Sequence, residues 1–140
     1  MGCDSLIEII LVSHGDYAKA MLKSAEMIVG EQQGVHVFGL HLGDSVDELR
    51  EKLAQTIEKV QESGEVLVLT DMFSGSPFNV TFSLMEHYSF QHLTGINLPM
   101  LLEILTSRHS GNAKELCQEV LEKGIASIRD VNQIIEEMGQ

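Results

Sequence analysis

An open, doubly wound α/β sheet with helices on both faces is the fold class that this 140-residue sequence predicts, and three observations carry that reading. Short β-branched runs alternate with stretches of helical period, the pattern of parallel strands joined by crossover helices. Two of the runs, Ile7 to Val12 ("IEIILV") and Val66 to Thr70 ("VLVLT"), are almost continuously apolar, as strands covered on both faces must be. Both give out on polar, chemically capable residues, His14 after the first and Asp71 after the third.

Taken in order, Ile7 to Val12, Val35 to Leu40, Val66 to Thr70 and Leu93 to Asn97 read as four strands, all buried on both faces. Between the first two, "DYAKAMLKSAEMIV" at 16 to 29 repeats Ala18, Met21, Leu22, Ala25, Ile28 and Val29 at helical spacing, with Gly30 as its stop. Ser45 followed by Glu48 is a capping-box pattern, opening a helix whose stripe is Val46, Leu49, Leu53, Ile57 and Val60, up to Gly64. Pro77 and Pro99 fall where a third and a fourth helix would have their first turn, which requires no N–H. A further helix over Ala113 to Lys123 carries Leu116, Cys117, Val120 and Leu121 on one side and ends at Gly124. "IASIRDV" at 125 to 131 then reads as a short last strand, with a helix or loose tail running to Gln140.

At this length and 44% hydrophobic content, residues 1–140 are expected to form a single domain with a substantial core. The formal charge of −12 and the lack of any Lys/Arg cluster exclude a nucleic-acid or anionic-membrane footprint. Cys3 and Cys117 have neither disulfide-framework nor zinc spacing, and no signal segment or membrane-length apolar run occurs, so a cytoplasmic protein is expected. His36, His41, His87, His92 and His109 form no metal-ligand spacing, and no metal or cofactor is called for.

In a parallel sheet the carboxyl ends of all strands gather on one edge. In the order 2-1-3-4, strands one and three are neighbours at the switch point where such folds bind ligands, and His14 would stand beside Asp71. A carboxylate bonded to one imidazole nitrogen fixes the tautomer and leaves the other with a free lone pair, which makes His14 a nucleophile candidate. The helix after His14 and the helix entered through Ser74, Gly75, Ser76 and Pro77 would aim free N–H groups and positive dipole ends at the same spot, one suited to a phosphoryl group. Gly15 and Gly75 would clear the approach, and the Ser74 and Ser76 hydroxyls could donate to phosphate oxygens or cap the helix.

At these residues the sequence resembles the mannose-family enzyme IIA component (EIIA) of the bacterial phosphoenolpyruvate-dependent sugar phosphotransferase system (PTS). The motifs are "SHG" at 13 to 15, "SAEMIVGEQ" at 24 to 32, "TDMFSGSPFN" at 70 to 79 and "TGINLPMLLEIL" at 94 to 105. They keep the family's order and spacing over roughly residues 7 to 121. The resemblance implies that His14 is the phosphorylated histidine, Asp71 the carboxylate orienting its ring, and Ser76 a hydroxyl near the phosphoryl group. It also implies a homodimer whose last strand, about Ile125 to Asp130, lies antiparallel and crosses to the partner. One departure is Ser74, where members commonly carry a second glycine.

The implied role is a cytoplasmic phosphocarrier associated peripherally with a membrane transporter. His14 would accept a phosphoryl group from phospho-HPr and pass it to a IIB component, with IIC and IID membrane components served indirectly and choosing the sugar. The alternative is the phosphotransfer subunit of a PTS-dependent dihydroxyacetone kinase, which resembles the same fold; "GSPFN" and "NLPMLLE" favour the sugar system. A signalling receiver domain would need an acidic pair after strand one to hold magnesium, where this chain has Ser13 and His14.

Overall fold

The computed structural model of the chain describes residues 6–109 and 111–139; Cys3 and Gln140 lie outside the described residues. Four strands, β1 (Glu8–His14), β2 (Val35–Leu40), β3 (Val66–Thr70) and β4 (Gln91–Thr94), form one sheet in the order β2-β1-β3-β4. Every adjacent pair is parallel, with Val12 opposite Phe38 on one side and opposite Thr70 on the other. Among the described residues six helices accompany them: α1 (Tyr17–Val29), α2 (Val46–Val60), α3 (Ser76–Leu84), α4 (Leu98–Ser107), α5 (Ala113–Ala126) and α6 (Val131–Met138).

The two-sided burial of the apolar runs follows from side-chain alternation along a strand. Ile9, Leu11, Leu67 and Leu69 pack with Ala25 of α1, Leu101 and Ile104 of α4 and Val120 of α5. Ile10, Val12 and Val68 point the other way, into Leu53 and Ile57 of α2 and Val80 and Leu84 of α3. β3 is therefore interior throughout and β1 everywhere but at its two ends. β2 and β4, expected to be buried as well, are only half-buried, because each is an edge strand with a neighbour on one side.

The helix starts obey local chemistry. Ser45 accepts the Glu48 N–H at 3.2 Å, and Pro77 and Pro99 lie in the first turns of α3 and α4. Asn97, expected inside the fourth strand, instead caps α4 by accepting the Met100 N–H at 3.0 Å. Gly95, with φ of 78°, turns the chain out of the sheet after Thr94, so β4 sits earlier than its apolar residues suggested.

The C-terminal segment departs most from expectation. Gly124 does not end α5; it lets α5 close on α4, since a Cβ there would fall 2.5 Å from Met100 Cγ. The helix continues to Ala126 and closes with the Ser127 N–H bonded to the Lys123 and Gly124 carbonyls. The antiparallel strand expected over Ile125 to Asp130 does not form: Ile125 and Ala126 are helical, and Asp130 caps α6 by accepting the Gln133 N–H at 3.3 Å. Among the described residues, no helix is long and apolar enough to cross a membrane.

Candidate functional site

Strand β1 runs two residues past its apolar stretch, so His14 is its last residue and stands on the carboxyl edge of the sheet. Parallel pairing of β1 with β3 brings Asp71, the residue after Thr70, directly beside it. Asp71 Oδ2 accepts both the His14 backbone N–H at 2.9 Å and the ring Nδ1–H at 2.8 Å. Asp71 Oδ1 accepts the Met72 N–H at 2.9 Å, so the carboxylate is held from three directions. The carboxylate can only accept here, so in the neutral ring Nδ1 carries the proton and the Nε2 lone pair is free. Half of the imidazole is exposed (50%) while Asp71 is covered (11%), so one group is anchored and the other presented.

Nε2 faces the start of α3. Gly75, the N-cap residue, has φ of 89° and ψ of 176°, a conformation glycine alone adopts freely, and a Cβ on it would lie 3.0 Å from both His14 Cε1 and Nε2. The glycine thus keeps the ring and its approach clear. Ser76 and Phe78 at the first and third helical positions have no acceptor for their amides among the described residues, and Pro77 between them has no N–H. These amides, with the positive end of the helix dipole, are suited to an anion carried on Nε2. Ser76 is half-buried beside them and Ser74 is exposed on the loop leading in.

Gly15 occupies a different role from an amide donor: its N–H is already given to Leu40 O at 2.7 Å. It offers open space instead, with nothing within 4 Å of where a Cβ would be. The roles of two polar residues escaped the sequence reading. Ser13, 1% exposed, accepts the Ala18 N–H at 2.9 Å and so caps the first turn of α1 from within the strand. Thr70 Oγ1 lies 2.9 Å from His92 Nε2 and 2.8 Å from Thr94 Oγ1, fixing the strand end that carries Asp71. A cap-type residue ahead of a helix is the signal that could have flagged Ser13. Thr70 had none, because its partners lie on another strand. The groove between β2 and α2, lined by Leu40, Asp44, Glu48 and Lys52, holds none of the site residues; His14 stands on an open rim.

A sequence model of the family described as the PTS system fructose IIA component, of mannose type, matches residues 8–121. The chain belongs to this EIIA family. It is 35% identical over 112 residues to the PTS system fructose-specific EIIA component of Bacillus subtilis (strain 168), covering 79% of this chain and 77% of that one. It is 37% identical over 105 residues to the PTS system mannose-specific EIIAB component of Escherichia coli (strain K12), covering 73% of this chain and 32% of that longer protein. Among solved structures it is similar to the PTS IIA protein associated with the fucose utilization operon from Streptococcus pneumoniae. That similarity has a TM-score of 0.84 at 33% identity and covers 94% of this chain and 98% of that one. As an EIIA component the chain is a phosphotransferase acting with the other components of a sugar phosphotransferase system.

Proposed function

We propose that His14 Nε2 is the phosphoryl acceptor, taking the group from the phosphohistidine of HPr and passing it to a IIB component of a sugar transporter. The single observation that supports this most is the pairing of a bound Nδ1 with an Nε2 turned toward uncommitted amides at the start of α3. In the forward step the donor's P–N bond breaks as a new P–N bond forms at Nε2, with both nitrogens in line through phosphorus. The Nδ1 proton stays on the ring. As the ring gains positive character, Asp71 stabilises it, while the α3 amides and Ser76 take up charge on the phosphoryl oxygens. Ser74 and the open space at Gly15 complete the rim on which the donor protein docks.

In the onward step the His14 P–N bond breaks as phosphorus bonds a histidine or cysteine side chain of the IIB component, and His14 is left neutral with its Nδ1 proton in place. We include a homodimer in the reading, supported by the exposed apolar residues Leu121, Ile125, Ile128, Val131, Ile135 and Met138 on α5, α6 and the turn between them. The protein would act in the cytoplasm, at the membrane only through its partners. Incubation with phosphoenolpyruvate, enzyme I and HPr, followed by mass spectrometry, is the test. One phosphoryl group per chain is expected, absent in His14→Ala and acquired about 100-fold more slowly in Asp71→Ala. Full labelling of His14→Ala would refute the assignment.

A further inference from the structure

Two residues of the connection from β3 to α3 stand against the His14 ring. Asp71 holds Nδ1, and Gly75 lies so near Nε2 that a Cβ on it would fall 3.0 Å away. Their separation sets the space around the ring. Yet residues 71 to 74 make no backbone–backbone hydrogen bond among the described residues, so the connection is held by side chains.

His92 supplies that hold from β4. It pairs in register with Val68, so its ring lies on the face of the sheet that α2 and α3 cover. Its Nε2 is 2.9 Å from Oγ1 of Thr70, the residue before Asp71, and the Thr70 hydroxyl donates to Thr94 Oγ1 at 2.8 Å. Thr70 therefore accepts the Nε2–H of His92. Burial lowers the pKa of His92 to about 4, so the ring is neutral and has that one N–H to give. The same ring packs against Phe78, the third residue of α3, with centroids 5.3 Å apart and planes at 35°. Phe73, within the connection, meets Phe78 edge-on at 5.0 Å and 71°. These contacts close a circuit, from Thr70 through His92 to Phe78 and Phe73, then back along Met72 and Asp71. One end of the connection is tied to His92 by a hydrogen bond and the other by ring packing.

We propose that His92 is a positioning residue for phosphoryl transfer: bonded to Thr70 and packed under Phe78, it fixes the start of α3 relative to Asp71 and so sets the gap in which His14 Nε2 receives the group. The inference rests on the His14 reading above and adds a residue behind it. His92 acts through Asp71 and Gly75, whose places on the ring it keeps in step. Without it the first turn of α3 could drift from the carboxylate, and a misplacement of about 1 Å at a reacting centre costs up to about 100-fold in rate.

The test measures kcat and KM for His14 labelling by phospho-HPr in wild type, His92→Leu, Thr70→Val and Thr70→Ser, per folded chain as fixed by urea unfolding. In His92→Leu and Thr70→Val kcat is expected to fall about tenfold, with KM changed less than about twofold, since the brace lies beneath the rim on which the donor docks. Thr70→Ser keeps the hydroxyl and is expected to keep the wild-type kcat. The double variant of His92→Leu with Thr70→Val should be no slower than the slower single one, because both break one brace. Proton NMR gives a second readout: on phosphorylation the Ser76 and Phe78 amide protons should move downfield in wild type and less so in His92→Leu. A kcat within about twofold of wild type in Thr70→Val, or a Thr70→Ser as slow as Thr70→Val, would overturn the brace while leaving His14 labelled. If His92→Leu does not fold, the two Thr70 variants decide alone. Wild-type protein labelled anywhere but on His14 would instead remove the site assignment and the brace with it.

Discussion

Two histidine–carboxylate pairs occupy opposite edges of the sheet, and their difference bears on the proposal that one of them accepts a phosphoryl group. At the carboxyl edge His14 meets Asp71 at 2.8 Å; at the amino edge His36 of β2 meets Glu8 of β1 at 3.0 Å. Chemistry and distance are nearly the same. The surroundings are not. His14 gives Nδ1 to its carboxylate and turns Nε2 toward the start of α3, where amides are uncommitted. His36 spends Nε2 itself on Glu8, beside the buried guanidinium of Arg108.

Arg108, 2% exposed, bonds the carbonyls of Ile7, Gly34 and Gln33 and the side chain of Gln32. It closes the amino ends of β1 and β2 as a structural bolt, and burial pulls its pKa down while Glu8 opposes the shift. One edge is thus consumed by its own hydrogen bonds, and the other holds amides in reserve. The direction of the strands decides which is which, because helices following parallel strands begin at the carboxyl edge.

The sharpest way to break this contrast is at the glycine that separates ring from helix. Gly75→Ala would place a methyl group 3.0 Å from His14 Nε2 in a conformation that costs about 1–3 kcal/mol for any other residue. Labelling is expected to slow about 100-fold, well beyond what the stability loss explains. A transfer rate within threefold of wild type would show that the approach to Nε2 does not run past Gly75.

The amino edge answers to stability instead. Arg108→Ala takes a donor from three carbonyls, of which Gly34 O keeps the Ile9 N–H, and unfolding in urea is expected to reveal a loss of about 3 kcal/mol, with the labelling rate of the folded protein unchanged. A slower transfer at full stability would reverse the roles assigned to the two edges. His92, beneath α3, gives a smaller and pH-dependent effect. Burial lowers its pKa from 6.5 to about 4, so the unfolded chain takes up the proton first. Its contribution to stability is complete above pH 6.5 and is lost as pH falls from there toward 4. Urea midpoints across that range should decline less steeply in His92→Gln, and equal slopes would contradict the burial. The smallest effect belongs to His36→Gln: less than about 1 kcal/mol of stability and no change in transfer.

How far the sequence alone revealed these features follows from the range of the interactions. The covered strands were legible in "IEIILV" and "VLVLT", and the helix starts in Ser45, Pro77 and Pro99, because each signal is local. His14 beside Asp71 was legible because parallel topology collects strand ends whatever their separation in the chain. Arg108 was not: its carbonyl partners lie from Ile7 to Gly34, and in sequence it reads as one more surface cation. Gly124 misled for a related reason. A glycine near a helix end suggests a stop, but here the missing side chain admits Met100 from α4, which the helix period cannot disclose. The strand assigned to Ile125 to Asp130 failed with it, since the helix simply runs on. Leu93 drew the fourth strand too far along, and Gly95 ended it sooner.

Phosphoryl transfer at His14 depends most on which ring nitrogen is free. Nitrogen-15 NMR of the chain, histidine-labelled and phosphorylated through HPr, reads this directly. The phosphoryl group is expected on Nε2 of His14, with Nδ1 still protonated against Asp71. Phosphorus on Nδ1 of His14, or on His36 at the opposite edge, would contradict it.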